Sequence, residues 1–344
     1  MALGDNIQKY RLICNLSQDA LAKRLEVKRS VVSLWEKNVA EPTMEELRKL
    51  RDILGVTADQ LLGEAEPENM PLNQESMTSV CAGFAYAMGV EPPKYAAPPS
   101  ETVTSYVDEM FGGEKADRLI IFNPDAFAQW LYEKYRHHTN MLRAHRDLEV
   151  PIATVMPSVT PVNFGTMYTG AEPAVHGIEQ YEKKLITIDS LYDALARAGK
   201  KVALVACKGW SMGTILLERD IDYYLIEGAG LENGGASRVQ AKAVELILKD
   251  EYDVVIVYNG FYDSAMHRFG PESVEALAEL RSNCYAFAEI SELVAEHYGN
   301  HNTLVCFASD HGCHEIDGGL GSHGLDMPED RNVMHLYKAY PGKK

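Results

Sequence analysis

The sequence has few of the features that mark secreted or membrane proteins. Its six cysteines form no Cys-x-x-Cys pair, which excludes a small disulfide-stabilised scaffold and indicates reduced thiols. No apolar run approaches the ~20 residues that a membrane helix requires. The polar N-terminus, MALGDNIQKYRLICN, is unlike a signal peptide. We therefore expect a cytoplasmic protein with no membrane partner.

The chain also lacks an even distribution of charge. Its 344 residues carry a net charge of −17, yet residues 1–65 contain ten basic and ten acidic residues. The remainder contains 23 basic and 40 acidic residues. An acidic body argues against wrapping nucleic acid and suits a protein that holds metal cations. The length and this contrast predict two folded units.

Residues 1–65 have the pattern of packed short helices. Ser17 is placed to cap a helix, and a turn at residues 26–28 separates it from a second helix at about Arg29–Lys37. Val32 and Trp35 lie three residues apart and predict the buried face of that second helix. A further helix starts at Pro42 and Thr43, with apolar residues spaced by three and four: Leu47, Leu50 and Leu54. The segment Gly55–Thr57 ends it, and residues 58–62 close the unit.

Three stretches of this segment resemble the Cro/C1-type (XRE) helix-turn-helix family: LSQDALAKRLEV, SVVSLWEKN and EPTMEELRKLRDILGVTADQLLG. The resemblance covers residues 1–65 and implies that the second helix enters the major groove of duplex DNA. It implies DNA contacts from Gln18, Lys28, Arg29, Ser30, Ser33 and Lys37. A homodimer follows if the target is palindromic. A helical module for protein contacts stays open as an alternative, because net zero charge is low for a DNA-binding domain.

Residues 66–116 have the composition of a boundary region. Six of the fifteen prolines fall between Pro67 and Pro99, around an apolar stretch that predicts a helix at about Met77–Met88. We interpret this region as a linker with connecting helices.

Residues 117–344 alternate short β-rich runs with amphipathic helical stretches. The predicted strands are RLIIFN (118–123), KVALVAC (201–207), DVVIVY (253–258) and TLVCFA (303–308). This alternation predicts an α/β/α sandwich with a mostly parallel sheet. Ligands of such folds bind beyond the carboxyl ends of the strands.

Acidic residues and histidines follow three of these strands. Asp125, Asp263 and Asp310 each come within five residues of a strand end. His267 and His311 lie close behind two of them, and His323 lies in the loop GGLGSHG. Three neighbouring carboxylates would repel one another without cations. Asp and His ligands suit zinc or manganese, so the sequence predicts two divalent metal ions at this edge.

The order of motifs resembles the alkaline phosphatase superfamily, and most closely its type I phosphodiesterase/nucleotide pyrophosphatase branch. The resemblance covers roughly residues 117–340. It rests on Thr160, Asn163, Thr169-Gly170, Pro173-x-x-His176-Gly177-Ile178, Asp263-x-x-x-His267-x-x-Gly270-Pro271, Asp310-His311-Gly312 and His323-Gly324.

The resemblance implies a site residue by residue. One metal ion is expected on Asp263, His267 and His323, and the other on Asp125, Asp310, His311 and the hydroxyl of Thr160. Thr160 is the expected nucleophile in a Gly- and Thr-rich loop, and Asn163 the expected donor to a phosphoryl oxygen. Zinc is the first choice of metal and manganese the second. Only 12 residues separate His311 from His323, where nucleotide pyrophosphatases insert a long segment, so a nucleotide substrate does not follow.

Together these patterns predict a two-metal phosphoesterase fused to a DNA-binding helix-turn-helix. Its expected substrate is a phosphodiester or related small phosphorylated metabolite. The alternative is a transcriptional regulator whose second domain senses a phosphorylated ligand with little turnover. The intact set of nucleophile and metal ligands favours the enzyme.

Overall fold

The computed structural model describes residues 3–14, 16–54, 56, 61–62 and 71–343. The predicted boundary between residues 65 and 66 lies outside these ranges, as do most of the predicted break at residues 55–57 and the start of the closing segment at residues 58–60.

Four described helices form the N-terminal unit: α1 (Leu3–Ile13), α2 (Gln18–Leu25), α3 (Arg29–Glu36) and α4 (Met44–Leu54). Ser17 caps α2, since its hydroxyl accepts a hydrogen bond from the Ala20 backbone N–H at 3.0 Å. Thr43 and Glu46 cap α4 reciprocally, because each side chain accepts from the backbone N–H of the other. The three predicted helices are confirmed.

Helix α1 is absent from the sequence prediction because its segment, LGDNIQKYRLI, is largely polar. Its polar residues bind within the unit. Arg11 makes two hydrogen bonds to the buried Glu36, at 2.5 and 2.9 Å, and Asn6 donates to the Leu61 carbonyl. Ile7 and Tyr10 complete the buried face of the helix.

An eight-stranded sheet organises the rest of the chain. Its strands are β1 (Glu75–Ser76), β2 (Arg118–Pro124), β3 (Leu148–Ala153), β4 (Val202–Cys207), β5 (Asp222–Ile226), β6 (Val254–Asn259), β7 (Thr303–Phe307) and β10 (Asn332–Tyr340). The order across the sheet is β1-β3-β10-β7-β2-β6-β4-β5. Strand β10 runs antiparallel to both neighbours, and the other described pairs are parallel. A hairpin of β8 (His314–Glu315) and β9 (Gly321–Ser322) stands apart.

Helices cover both faces of this sheet. They are α5 (Thr78–Ala87), α6 (Glu101–Phe111), α7 (Gln129–Lys134), α8 (Asn140–Ala144), α9 (Thr160–Thr169), α10 (Pro173–His176), α11 (Leu191–Arg197), α12 (Met212–Ile215), α13 (Gly235–Lys249), α14 (Phe261–Phe269), α15 (Val274–His297) and α16 (Pro328–Arg331). Along β2, Ile120 and Phe122 pack on the side of α13 and α15. Leu119 and Ile121 pack on the side of α5 and α9. The predicted α/β/α sandwich is confirmed.

The described part of the predicted linker, from residue 71 onward, packs against the sheet. Glu75 pairs in parallel with Ile152 of β3, and α5 forms at the predicted place. Helix α5 is apolar on all sides, and Cys81, Phe84 and Ala85 are almost fully buried. Such a helix is typical of a core position.

The N-terminal unit contacts the second unit through α1, which packs beside α15. Lys9 lies 3.9 Å from Glu272, which also receives a hydrogen bond from Tyr135 and an ion pair from Lys134 at 2.6 Å. Arg29 and Ser30, at the start of α3, are exposed.

Candidate active site

Three neighbouring central strands deliver the predicted acidic residues to one edge of the sheet. Strand β2 lies between β7 and β6, and all three run parallel. Asp125 follows β2 directly, Asp310 follows β7, and Asp263 lies in the first turn of α14 behind β6. The convergence therefore follows from strand order, which the sequence alone does not give.

One cluster contains Asp263, His267 and His323. His267 Nε2 lies 3.3 Å from Asp263 Oδ1, because the two residues are one helical turn apart on α14. His323 comes from the loop after β9, and its Nε2 lies 3.1 Å from His267 Nε2 and 3.5 Å from Asp263 Oδ1. The structure thus brings together all three residues predicted for one metal ion.

The second cluster contains Asp125, Asp310, His311 and Thr160. His311 Nε2 lies 3.2 Å from Asp125 Oδ1 and 3.4 Å from Asp310 Oδ2. The Thr160 hydroxyl lies 3.0 Å from His311 Nε2 and 3.5 Å from Asp125 Oδ1. All four side chains are buried. These are the four residues predicted for the other metal ion.

The two clusters are adjacent. The rings of His311 and His323 stack with their centroids 4.0 Å apart. Ligand atoms of Asp263, His311 and His323 lie within 4.8 Å of one another, and so do those of Asp125, Asp310 and His311. A single site could therefore hold two cations side by side.

Each of the three imidazoles is oriented by a backbone carbonyl. The Nδ1 atoms of His267, His311 and His323 lie 2.8–3.1 Å from the carbonyl oxygens of Gly321, Gly312 and Ser158. In a neutral imidazole, donation from Nδ1–H leaves Nε2 as the unprotonated nitrogen, and in every case Nε2 faces the cluster. This tautomer is the one that binds metal ions in proteins.

The electrostatics of the site favour added positive charge. Burial, followed by the nearby Asp125, raises the pKa of Asp310 well above its ordinary value, and the same two causes raise that of Asp263. Burial lowers the pKa of His311, but the neighbouring Asp310 and Asp125 outweigh burial and raise this pKa to about 10. Burial and the neighbouring His311 and His267 lower the pKa of His323 to about 2. The carboxylates are thus held where their charge is costly without a cation.

Two buried carboxylate oxygens have no hydrogen-bond donor. Asp263 Oδ1 and Asp310 Oδ2 accept no hydrogen bond, and for each the nearest imidazole nitrogen is 3.3 or 3.4 Å away. Buried polar atoms are normally paired, so each such atom requires an explanation. Divalent cations supply one, since both oxygens belong to the predicted ligand sets.

The segment around Thr160 differs from the predicted loop. Residues 160–169 form α9, whose N-terminus carries Thr160 and then Pro161, a residue favoured in the first helical turn. Gly165 allows close packing in this helix, because a Cβ there would lie 2.8 Å from His176 Cε1. Because Thr160 is the first residue of α9, it lies at a helix N-terminus, where backbone N–H groups attract anions.

Asn163 is buried but does not join the cluster. Its Oδ1 accepts a hydrogen bond from the Val155 N–H at 2.9 Å, and its Nδ2 approaches three backbone carbonyls of residues 155–159. The side chain thus orders the segment before Thr160 in this structure. Its contact with a phosphoryl oxygen stays a prediction.

Position 312 of the Asp310-His311-Gly312 motif requires glycine for steric reasons. A Cβ at Gly312 would lie 2.0 Å from the Glu329 carbonyl oxygen. Its backbone N–H donates to the Asp330 carbonyl at 2.7 Å. This close approach fixes the turn that aims His311 into the site.

A cavity of about 230 Å³ opens beside Thr160. Its lining includes Asp125, Asp263 and the aromatic Trp210, with Tyr181 and Lys183 from the loop after α10. Trp210 packs on Phe261 with ring centroids 4.9 Å apart. Sequence reasoning missed Tyr181 and Lys183, which no strand end or motif marks. It also missed Tyr258, which ends a predicted strand but belongs to no motif.

Most of the predicted DNA-binding residues are accessible to solvent. Lys28, Arg29, Ser30 and Lys37 are exposed, and Ser33 is half-buried. Gln18 instead donates a hydrogen bond to Glu36 at 2.8 Å. Its amide holds α2 to α3, and its phosphate contact stays a prediction.

Comparison with known proteins identifies both units. Residues 7–61 match the helix-turn-helix family, and residues 119–339 match the type I phosphodiesterase/nucleotide pyrophosphatase family. The second match covers more than half of the chain. The protein therefore belongs to the type I phosphodiesterase/nucleotide pyrophosphatase family and carries an N-terminal helix-turn-helix. Both resemblances are confirmed.

Individual relatives match single units. The HTH-type transcriptional activator BcrR of Enterococcus faecalis is 36% identical over 66 residues, which are 19% of this chain and 32% of that protein. Phosphonoacetate hydrolase from Sinorhizobium meliloti 1021 is 19% identical with a TM-score of 0.45, covering 61% of each chain. The P22 c2 repressor in complex with a synthetic operator is 31% identical with a TM-score of 0.19, covering 19% of this chain and 98% of that one.

A search of the described residues for membrane-spanning helices gave none. Every helix in those ranges is too short or too polar to cross a bilayer.

Proposed function

We propose that the protein is a two-metal phosphodiesterase with a threonine nucleophile, fused to a DNA-binding domain. The observation that carries the proposal is the position of the Thr160 hydroxyl, within 3.5 Å of both His311 Nε2 and Asp125 Oδ1. A second carboxylate–imidazole cluster lies directly beside it. Membership of the phosphodiesterase family supports the reaction class.

The donor set fits two divalent metal ions, zinc before manganese. Asp263, His267 and His323 would hold one ion, and Asp125, Asp310, His311 and the Thr160 hydroxyl the other. Three aspartates and a deprotonated threonine carry four negative charges, which two divalent ions neutralise. The resulting neutral site could admit an anionic phosphoester without net repulsion.

Bound cations lower the pKa of a coordinated hydroxyl and stabilise both oxygens of an in-line displacement. The chain's own groups would do the rest. The deprotonated Thr160 Oγ would attack phosphorus as the bond to the opposite ester oxygen breaks, and that oxygen would take up a proton and leave as the alcohol. Water would then hydrolyse the phosphothreonine and free the Thr160 hydroxyl. Backbone N–H groups at the α9 N-terminus would attract the phosphoryl oxygens of the substrate. The substrate we propose is a small phosphodiester or related phosphorylated metabolite, in line with the cavity of about 230 Å³.

The N-terminal unit is proposed to bind duplex DNA through α3. Its match to the helix-turn-helix family supports this, as do the exposed Lys28, Arg29 and Lys37. The N-terminal unit packs against the acidic body through α1, while these three basic residues stay exposed.

The test combines metal analysis with turnover. The full chain, purified without chelators, should contain about two divalent ions and hydrolyse bis-p-nitrophenyl phosphate faster than p-nitrophenyl phosphate. His323→Ala should lose one ion preferentially, while His297→Ala, an exposed histidine at the end of α15, should keep both. Absence of metal uptake with zinc or manganese would rule out the two-metal site. Two bound ions without turnover of any ester would instead favour a sensor of phosphorylated ligands.

A further inference from the structure

Tyr258 lies behind the proposed site, on the side of the nucleophile helix. It is the penultimate residue of β6 and only 2% exposed, and it pairs in register with Asn123 of β2. Its ring meets Phe164 edge-on at a centroid distance of 5.1 Å, one turn along α9 from Thr160. Trp210 packs against its other side at 6.1 Å.

The position of the Tyr258 ring depends on the absence of a side chain at Gly260. A Cβ at Gly260 would lie 2.5 Å from Trp210 Cζ3 and 3.0 Å from the Tyr258 hydroxyl. Glycine two residues after Tyr258 therefore lets both aromatic rings stand at the cavity wall.

That hydroxyl donates a hydrogen bond to Asp125 Oδ2. The other oxygen of the same carboxylate, Oδ1, faces His311 Nε2 at 3.2 Å and the Thr160 hydroxyl at 3.5 Å. The two oxygens of Asp125 thus have different surroundings. One is held by a buried phenol, and the other points into the cluster.

We infer that Tyr258 is a positioning residue, whose hydroxyl fixes the Asp125 carboxylate so that Oδ1 alone is presented to the metal ion and to Thr160. This inference rests on the proposed function, because it assigns Asp125 as a ligand. It adds a residue that no motif in the sequence marks.

The physical reason is the rotational freedom of a carboxylate. An unrestrained Asp side chain can turn about its Cβ–Cγ bond and offer either oxygen, or both, to a cation. Residues outside the ligand set orient the metal ligands by hydrogen bonds. Mutating such a residue typically lowers metal affinity or activity by about 10- to 100-fold. A buried tyrosine hydroxyl also requires a partner, so the pair is mutually stabilising.

The test compares two matched variants. Tyr258→Phe removes the hydroxyl that contacts Asp125. Tyr262→Phe removes an equally buried hydroxyl on the same connection, which donates to the Pro271 carbonyl at 3.0 Å. Zinc affinities are measured by competition with a chromophoric chelator, and kcat and KM with bis-p-nitrophenyl phosphate. Urea unfolding of both metal-free variants reports their folding.

We expect Tyr258→Phe to bind one of two zinc ions about 10-fold or more weakly and to lose about 10- to 100-fold in kcat, with KM little changed. Tyr262→Phe should retain both affinities and kcat within about twofold. Equal affinities and kcat in the two variants would overturn the positioning role while leaving the two-metal site intact. A wild type that binds no metal would overturn the proposed function as well.

Discussion

Both units of the chain bury charged side chains, but the units differ in how fully those side chains are hydrogen-bonded. In the N-terminal unit Arg11 donates two hydrogen bonds to Glu36. Arg11 also donates to the Leu16 carbonyl, and Glu36 also accepts from Gln18. In the second unit Asp125, Asp310 and Asp263 face one another, and two of their buried oxygens accept no hydrogen bond. The first arrangement is complete within the protein, and the second is not.

This difference separates a structural charge cluster from a ligand-binding one. A buried ion pair whose hydrogen-bonding groups all have partners stabilises a particular packing. Removing one member of the pair strongly destabilises the folded protein. An excess of buried like charge is unfavourable in the free protein and becomes favourable only when a counter-charge binds. The predictions below test this distinction, from the largest expected effect to the smallest.

Thr160→Val removes the proposed nucleophile and preserves its shape. We expect diester turnover to fall on the order of 10³-fold or more, because removing the nucleophile disables the catalytic unit. Thr160→Ser should retain measurable turnover. Thr169→Val is the control, since that hydroxyl donates to the Gly165 carbonyl within the same helix. Near-normal turnover by Thr160→Val would exclude covalent catalysis by this residue.

Arg11→Met leaves Glu36 buried without its partner. The free energy of unfolding of the N-terminal unit should fall by about 3 kcal/mol, measured by urea denaturation of the full chain. Arg51→Ala breaks the exposed pair with Asp52 and should change it by less than about 0.5 kcal/mol. If the two variants were equally stable, the pair of Arg11 and Glu36 would not have the structural importance assigned to it.

Asp310→Asn should have opposite effects with and without metal. In the metal-free protein the pKa of Asp310 is raised by burial and by Asp125. Its contribution to stability is therefore full at low pH and lost as the pH rises. At about pH 8 the metal-free variant should be more stable than the wild type, on the order of 1 kcal/mol. With zinc the order should reverse, because the variant loses a ligand.

The exposed Asp317→Asn provides the control for this reversal. It lies in the loop between His311 and His323 and should change stability little in either condition. Urea unfolding with a chelator and with zinc measures both cases. An Asp310→Asn variant less stable than the wild type in the chelator would show that the carboxylate is already satisfied by the protein.

Lys37→Ala should weaken DNA binding modestly. If Lys37 contacts a phosphate, the slope of log K against log salt should decrease by about 1. Anisotropy titrations against a duplex from upstream of the gene measure this slope. Lys49→Ala on α4, paired with Glu45, should leave it unchanged. Binding that is weak, uniform across duplexes and insensitive to Lys37→Ala would favour the interaction module.

Much of the fold was predictable where local pattern and structure agree. Apolar runs mark β2, β4, β6 and β7, and helical spacing marks α2 to α4. Strands β3, β5 and β10 were not predicted, for physical reasons. Strand β3 contains Pro151, β5 is a half-buried edge strand, and β10 mixes polar and apolar residues along its length. Helix α1 is largely polar, and its Arg11 pairs with Glu36 of α3.

The sequence by itself determined which chemical groups are present and the class of fold that carries them. Strand-end aspartates, the Asp263 to His267 spacing of one helical turn and the Asp310-His311-Gly312 turn are local properties. Only the tertiary structure decided that β7, β2 and β6 are neighbours, that His323 reaches His267, and that Tyr258 holds Asp125. These contacts join residues far apart in the sequence, such as Thr160 and His311, which are 151 positions apart. They depend on strand order and on how the loops pack, which no local spacing specifies.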